Sequence, residues 1–243
     1  MMIKFFRHIR LNLINQNKTS KYFKYAIGEI VLVVIGILIA LQINNWNTKY
    51  KDGKEEIKLL QEMHHNLTND YKDCLWNIKK QADLSKSNTA VLQHLEARTP
   101  INDSLKFHYA NLIYSTTQRR NMSTYDHLKS KGIDLIRNDS LRRNITAVYS
   151  ERCYYIEKME LEYDNRYQLN TVVPMLNEKL IIDDVLKLGY PGDLQNLYLD
   201  TTFKGVLRMN IRIRKFMLER YSGISKDLKG LIEHINSELI RRK

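Results

Sequence analysis

Cys74 and Cys153 are the only two cysteines of the chain. They fall on two different predicted helices. Outside a reducing compartment they form a candidate interhelical disulfide, closing a loop of about 80 residues and contributing roughly 4 kcal/mol in the chain-entropy picture. Two buried thiols on unrelated faces would give the same sequence. Of the seven histidines only His64 and His65 adjoin. Helix neighbours point about 100° apart, so these two cannot easily share a metal ion. His64 falls in an apolar seam and reads as a hydrogen-bonded core or groove histidine. Tyrosine outnumbers phenylalanine 15 to 6, and Tyr149, Tyr154, Tyr155, Tyr163 and Tyr167 crowd one stretch. Tyrosine suits binding pockets, yet on a slender helical domain it is also ordinary packing, the reading preferred here. Arg119-Arg120, Arg142-Arg143 and Arg241-Arg242-Lys243 are short basic clusters set among 27 acidic residues. They read as solvated faces rather than as a groove that tracks phosphates. There is no Gly-rich phosphate loop, no Gly-x-Ser-x-Gly, no His-Glu-x-x-His and no Cys-x-x-Cys. No catalytic residue, metal ligand or cofactor is predicted, and the chain reads as non-enzymatic.

The elements that would carry such residues begin with an anchor. The net charge is +12, and half of it lies in Lys4, Arg7, Arg10, Lys18, Lys21 and Lys24, with no acid among residues 1–25. Residues 26–43 then read AIGEIVLVVIGILIALQI. Eighteen residues at 1.5 Å each give about 27 Å, close to the thickness of a bilayer core. Tyr22, Phe23 and Tyr25 flank one end and Trp46 the other, where aromatic belts form. The run ends in Gln42-Ile43-Asn44-Asn45-Trp46, a poor signal-peptidase site. An uncleaved transmembrane helix is expected, within boundaries of 21–47. Flanking bases place the N-terminus in the cytoplasm and residues 48–243 on the far side, periplasmic in a Gram-negative cell.

Residues 1–20 read as a basic leader. Met2, Phe5, Phe6, Ile9 and Leu13 share one helical face, and Lys4, Arg7 and Arg10 are candidate contacts to anionic lipid headgroups. Thr19 and Ser20 are candidate caps of the span. Within the span, Glu29 reads as an interfacial carboxylate or as a contact to a partner helix. Gly36 and Ala40 form a small-xxx-small pair that permits close helix approach. Gln42, Asn44 and Asn45 mark the outer boundary, where water satisfies them.

The remainder reads as helices. Ile57, Leu60, His64, Leu67, Tyr71, Cys74 and Ile78 step by three and four, and Pro100 ends that helix. Asn-Asp-Ser-Leu occurs at 102–105 and again at 138–141, one capping chemistry used twice rather than a repeat. A short helix is expected from 102 through Tyr114. Ser123-Thr124-Tyr125-Asp126 has capping-box form, with Gly132 as the matching stop. Beyond Leu141 the apolar steps are Ile145, Val148, Tyr155, Met159, Tyr163, Leu169 and Val173, and Pro174 stops or kinks them. Tyr190-Pro191-Gly192-Asp193 is the clearest turn. Asp200 caps a last helix whose Met217, Tyr221, Ile224, Leu228, Leu231 and Ile235 form a coiled-coil-like seam, a candidate for self-association. No stretch shows strand alternation. The fold class is therefore all-α: one transmembrane helix followed by an elongated antiparallel helical bundle.

Tyr25 through Asn47, YAIGEIVLVVIGILIALQINNWN, with the leader Met2-Ile3-Lys4-Phe5-Phe6-Arg7, resembles an uncharacterised bacterial membrane-protein family, domain of unknown function six-zero-nine-zero. The likeness continues more loosely through Tyr125-x-x-Leu-x-x-x-Gly132 and the last helix. It implies a Gram-negative envelope protein with one span and a helical outer domain, and it supplies no activity. The expected role is a non-catalytic scaffold or sensory adaptor in the inner membrane. Its expected partners are membrane lipids and a protein partner or second copy, with nucleic acid excluded by topology. The alternative is an envelope small-ligand binder or enzyme with a noncanonical pocket.

Overall fold

A computed structural model describes residues 19–242. The leader, with Lys4, Arg7 and Arg10, lies outside the described residues, as do the side chains of Thr19 and Ser20. The chain divides into two compact units, Met1–Glu56 and Ile57–Lys243. Helix α1 spans Thr19–Ala97 and contributes to both.

In the first unit, α1 is helical through the whole apolar run. Its large side chains from Ile27 to Ile43 are 46–63% exposed. Such a surface is unfavourable in water and fits a hydrocarbon surrounding. No β-branched penalty breaks the helix here, because Val and Ile only mildly lower helix propensity and every backbone group is bonded within the helix.

The second unit is built on three long helices. Residues 57–97 of α1 form the first and end in a left-handed Arg98 (φ 52°), two residues before Pro100. Helix α2 is Asp103–Asn111, capped by Asn102 Oδ1, which accepts from the Leu105 amide at 2.9 Å. It stops three residues short of the expected Tyr114. Helix α3 is Ser123–Lys131. The expected capping box does not form there; Asn121 Oδ1 instead accepts from both the amide and the hydroxyl of Ser123. Gly132 follows with φ +103°, a conformation that strains any L side chain.

A continuous helical run, α4, covers residues 139–179. Asn138 caps it, accepting from the Ser140 and Leu141 amides. Three π-helical stretches lie within it, Ala147–Cys153, Glu160–Asn165 and Gln168–Val172. Pro174 neither stops nor breaks it; it directly follows the last π stretch and sits in the first turn of the α-helical end, Val173–Lys179.

The chain then departs from the all-helical expectation in one place. Strands β1 (Leu180–Asp184) and β2 (Leu188–Pro191) pair antiparallel, Leu180 opposite Pro191 and Ile182 opposite Gly189. Alternation over four or five residues is too short to stand out in sequence. The hairpin packs on α2. A Cβ on Gly189 would fall 2.9 Å from the Ala110 amide nitrogen, so only glycine permits this approach. The expected turn at Tyr190-Pro191-Gly192-Asp193 is the strand end followed by Asp193, which caps α5 (Leu194–Leu199). Asp200 caps α6, Thr201–Arg241, through the Phe203 amide.

Partners between α1 and α6 run in opposite order: Cys74 meets Tyr221, Gln81 meets Arg214 and Asn88 meets Asn210. Those between α4 and α6 do the same, Glu160 with Tyr221 and Asp164 with Arg214. So α6 is antiparallel to both. Two apolar clusters result. One joins Leu60, Met63, Leu67 and Cys74 of α1 to Ile145, Tyr149 and Ile156 of α4 and to the Met217–Ile235 seam of α6. The other gathers Val91, Leu95, Tyr109, Val172, Leu176, Leu197, Phe203 and Leu207.

Candidate functional site

Between those clusters the interior of the second unit is polar. Arg214 is fully buried, and its Nη1 donates to Asp164 Oδ2 at 2.8 Å and to Gln81 Oε1 at 3.2 Å. Asp164 Oδ1 accepts from Gln168 Nε2 at 3.0 Å. Gln168 also donates to Asn210 Oδ1, and Asn210 Nδ2 donates to Asn88 Oδ1 at 2.9 Å. Asn88 closes the chain on the Leu84 carbonyl. Three helices thus share one hydrogen-bonded file. Burial pulls the Arg214 pKa below its ordinary value, against the opposing pull of Asp164.

A second carboxylate fixes the irregular strap of residues 112–122. Glu160, 2% exposed, accepts at Oε1 from the Gln118 amide and the Tyr221 hydroxyl, both at 2.7 Å. Its Oε2 takes Arg120 Nη2 at 2.8 Å. Asp73 Oδ2 accepts from the Arg119 amide and both Asp70 oxygens from the Asn121 amide. Thr116 donates to Asn77. The strap has no ladder of its own, so these carboxylates satisfy backbone donors that burial would otherwise leave costly. Burial raises the Asp70 pKa, partly offset by the Asn121 amide.

The carboxylates of this array are all engaged, whereas Arg214 Nε and Nη2, Gln81 Nε2 and Arg120 Nη1 are buried with no hydrogen-bond partner among the described residues. Glu160 and Asp164 each accept hydrogen bonds at both carboxylate oxygens. Among the described residues no group of three or more His, Cys, Asp or Glu is placed to hold a metal. Cys74 and Cys153 are both buried free thiols, so the candidate disulfide is not formed. Cys74 Sγ donates to the Tyr221 carbonyl at 3.3 Å. Burial pushes the Cys74 thiol up to about 12 and Cys153 to about 11, leaving neutral, weakly nucleophilic sulfur.

Met217, Tyr221, Ile224, Leu228, Leu231 and Ile235 are all buried within this chain's own fold. The coiled-coil-like seam is used intramolecularly, packed in the apolar cluster against α1 and α4. Gly36, Ala40, Gln42, Asn44, Asn45 and Trp46 are exposed along α1, and Glu29 is half-buried. His64 is only half-buried, because Met63 takes the interior position. Of the crowded tyrosines Tyr149 is buried, while Tyr154, Tyr155 and Tyr163 are 43–62% exposed. Arg120 and Arg242 are not solvated but pair with buried Glu160 and Glu238. An open groove of about 350 Å³ lies between α4 and α6, lined by Arg152, Tyr155, Glu219, Arg220 and Asp227 among others.

The polar file itself went unread. Its signal was present: Ile156, Glu160, Asp164, Gln168, Val172 and Leu176 step evenly by four, so the polar members are in phase with the apolar ones. The π stretches explain why an α-helical period missed them. A step of four overshoots by about 40° in an α-helix, and wider π turns take that drift back. The stripe expected through Tyr155, Tyr163 and Leu169 accordingly faces outward.

An exposed apolar helical segment and a helical unit with a buried polar file define a membrane-associated, predominantly helical protein. The chain belongs to the family of unknown function DUF6090, whose model matches residues 29–189. That match takes in the apolar segment from Glu29, the Tyr125-x-x-Leu-x-x-x-Gly132 motif, and the chain up to β2. The leader and α6, where a looser likeness was expected, lie outside it. Tyr125 stacks on Tyr149 at 4.7 Å and its hydroxyl meets Ser150, so the motif is a packing device. No curated protein and no solved structure matches the chain.

Proposed function

We propose that this chain is a single-pass inner-membrane protein whose residues 48–243 lie in the periplasm and act through protein interaction, as a scaffold or sensory adaptor. The observation that carries the reading is the apolar run 26–43, helical and exposed along its length. The basic excess before it and the balanced flank after it support a cytoplasmic N-terminus. Paired reporter fusions at the C-terminus test the topology: alkaline phosphatase active and a cytoplasmic fluorophore dark is the expected result. The reverse pattern overturns it. Crosslinking in intact membranes tests the interaction, and a chain found only as an unaccompanied monomer counts against it. The open groove beside Tyr155 favours a second reading, an envelope small-ligand binder.

A further inference from the structure

Just past the apolar run, α1 carries a ladder on one face. Trp46, Tyr50 and Lys54 are spaced by four residues and so stand one above another. The Trp46 and Tyr50 rings stack with centroids 6.5 Å apart. The Lys54 ammonium lies 4.6 Å from the Tyr50 ring centroid. Trp46 and Tyr50 are among the most exposed aromatic residues, at 74% and 56%. Lys54 pairs with no carboxylate among the described residues.

We propose that Trp46, Tyr50 and Lys54 form a binding site for the phosphate headgroup of an anionic phospholipid. The proposal rests on the membrane reading of residues 26–43. Side chains on a helix lean toward its N-terminus, which here is the direction of the apolar run. Lys54 is therefore carried back over Tyr50, and Tyr50 toward Trp46. From Ile43 the helix rises about 4.5 Å to Trp46 and about 10.5 Å to Tyr50. The polar layer on each side of the hydrocarbon is roughly 5–7 Å thick. Trp46 falls within that layer, and the backward lean brings the ammonium toward its outer edge, where phosphates lie. Amphipathic indole and phenol rings suit the carbonyl level. The ring beneath the ammonium holds it in place while leaving its outward donors unused. The flank as a whole is balanced, Lys49, Lys51 and Lys54 against Asp52, Glu55 and Glu56. A diffuse field is thus weak, and attraction must come from a point contact.

The test uses the full chain with Trp76→Phe, which leaves Trp46 as the only tryptophan, in nanodiscs of phosphatidylcholine and phosphatidylglycerol. Quenching of Trp46 by brominated chains of either lipid gives their relative occupancy at the ladder. Phosphatidylglycerol is expected to be favoured by about fivefold, the contribution of one basic side chain near a membrane surface. Bromines high on the chain should quench more than those near its end. Lys54→Gln should abolish the preference and Lys51→Gln should leave it intact. No preference in the parent, or equal loss in both variants, overturns the site. Inorganic phosphate displacing the bound phosphatidylglycerol in the parent would assign the chemistry to free phosphate and overturn a lipid site. Flotation with vesicles separates the two levels. A chain that floats but shows no preference loses only the ladder, whereas one that does not float loses the anchor and the ladder together.

Discussion

Helices α4 and α6 cover the same number of residues and lie in the same unit, yet they are built by opposite rules. The buried stripe of α6 alternates steps of four and three and is apolar through Met217, Tyr221, Ile224, Leu228, Leu231 and Ile235. The stripe of α4 steps by four through its π stretches and places Glu160, Asp164 and Gln168 inside, while Tyr154, Leu161, Tyr163 and Leu169 face out. From Met217 to Ile235 the inner face of α6 is stabilised mainly by water exclusion, which an apolar side chain of the right size supplies, while Asn210 and Arg214 nearer its start belong to the polar file. The inner face of α4 depends on named partners at fixed distances, since an unpaired buried charge is penalised heavily. The first tolerates substitution within a class; the second specifies register, because a one-turn slip would strand Asp164.

The contrast breaks most sharply at Arg214. Arg214→Ala leaves Asp164 buried without its cation and is expected to cost about 3–5 kcal/mol, whereas Arg214→Met with Asp164→Leu should recover most of it. Urea unfolding of the full chain in detergent, followed by circular dichroism, measures both. A double variant as damaged as the single would mean that the pair contributes more than mutual compensation.

On α6, Leu228→Ala should cost about 2–5 kcal/mol through lost burial and the cavity left behind. Leu169→Ala on the outer face of α4 should stay within about 0.5 kcal/mol, although both residues are leucines in long helices. The same unfolding measurement compares them. Equal effects would contradict the outward orientation of that face.

Glu160 gives a smaller and more local effect. Glu160→Gln keeps an oxygen for the Gln118 amide and Tyr221 but turns a donor toward Arg120. A loss of about 1–3 kcal/mol is expected. The strap should open first, so tryptic cleavage after Arg119 and Arg120 should accelerate while cleavage elsewhere does not.

The same contrast explains what could be read in advance. The α6 seam, the Asn102, Asn138 and Asp200 caps, the Gly132 stop and the apolar run were legible, because each is a local signal with one dominant cause. The α4 stripe was not, since reading it requires knowing that π turns reset the phase. The hairpin failed for a related reason: β1 and β2 are short and exist because α2 supplies a surface against Gly189. The pairing of Arg120 and Arg242 was hidden because a basic dipeptide looks alike whether solvated or matched to a buried acid 40 residues away or four. Of the polar file, residue types and spacing were visible, but their convergence depends on three helices at once.

The mildest prediction concerns the place where the two helices are tied together. Asn138 caps α4 with its oxygen while its Nδ2 donates to Glu238 of α6 at 2.8 Å. Glu238 is 3% exposed and also accepts from Arg241 and Arg242. Burial alone would raise its pKa, but Arg241, Asn138 and Arg242 together outweigh it and hold the carboxyl down at about 2, from an ordinary 4.5. A carboxylate whose folded pKa is depressed stabilises the fold at pH values above its unfolded pKa. That contribution is lost as pH falls from about 4.5 through about 2. Asp70, raised by burial, works in the opposite direction and gives back part of its cost as it protonates. Melting of the parent and of Glu238→Gln should therefore differ at neutral pH and converge toward pH 2. Amide exchange would show the difference concentrated at residues 138–146 and 235–241. A gap between the two chains that persists undiminished at pH 2 would mean that Glu238 acts by shape and hydrogen bonding, not by charge, and that this end of α6 follows the rule of its apolar seam.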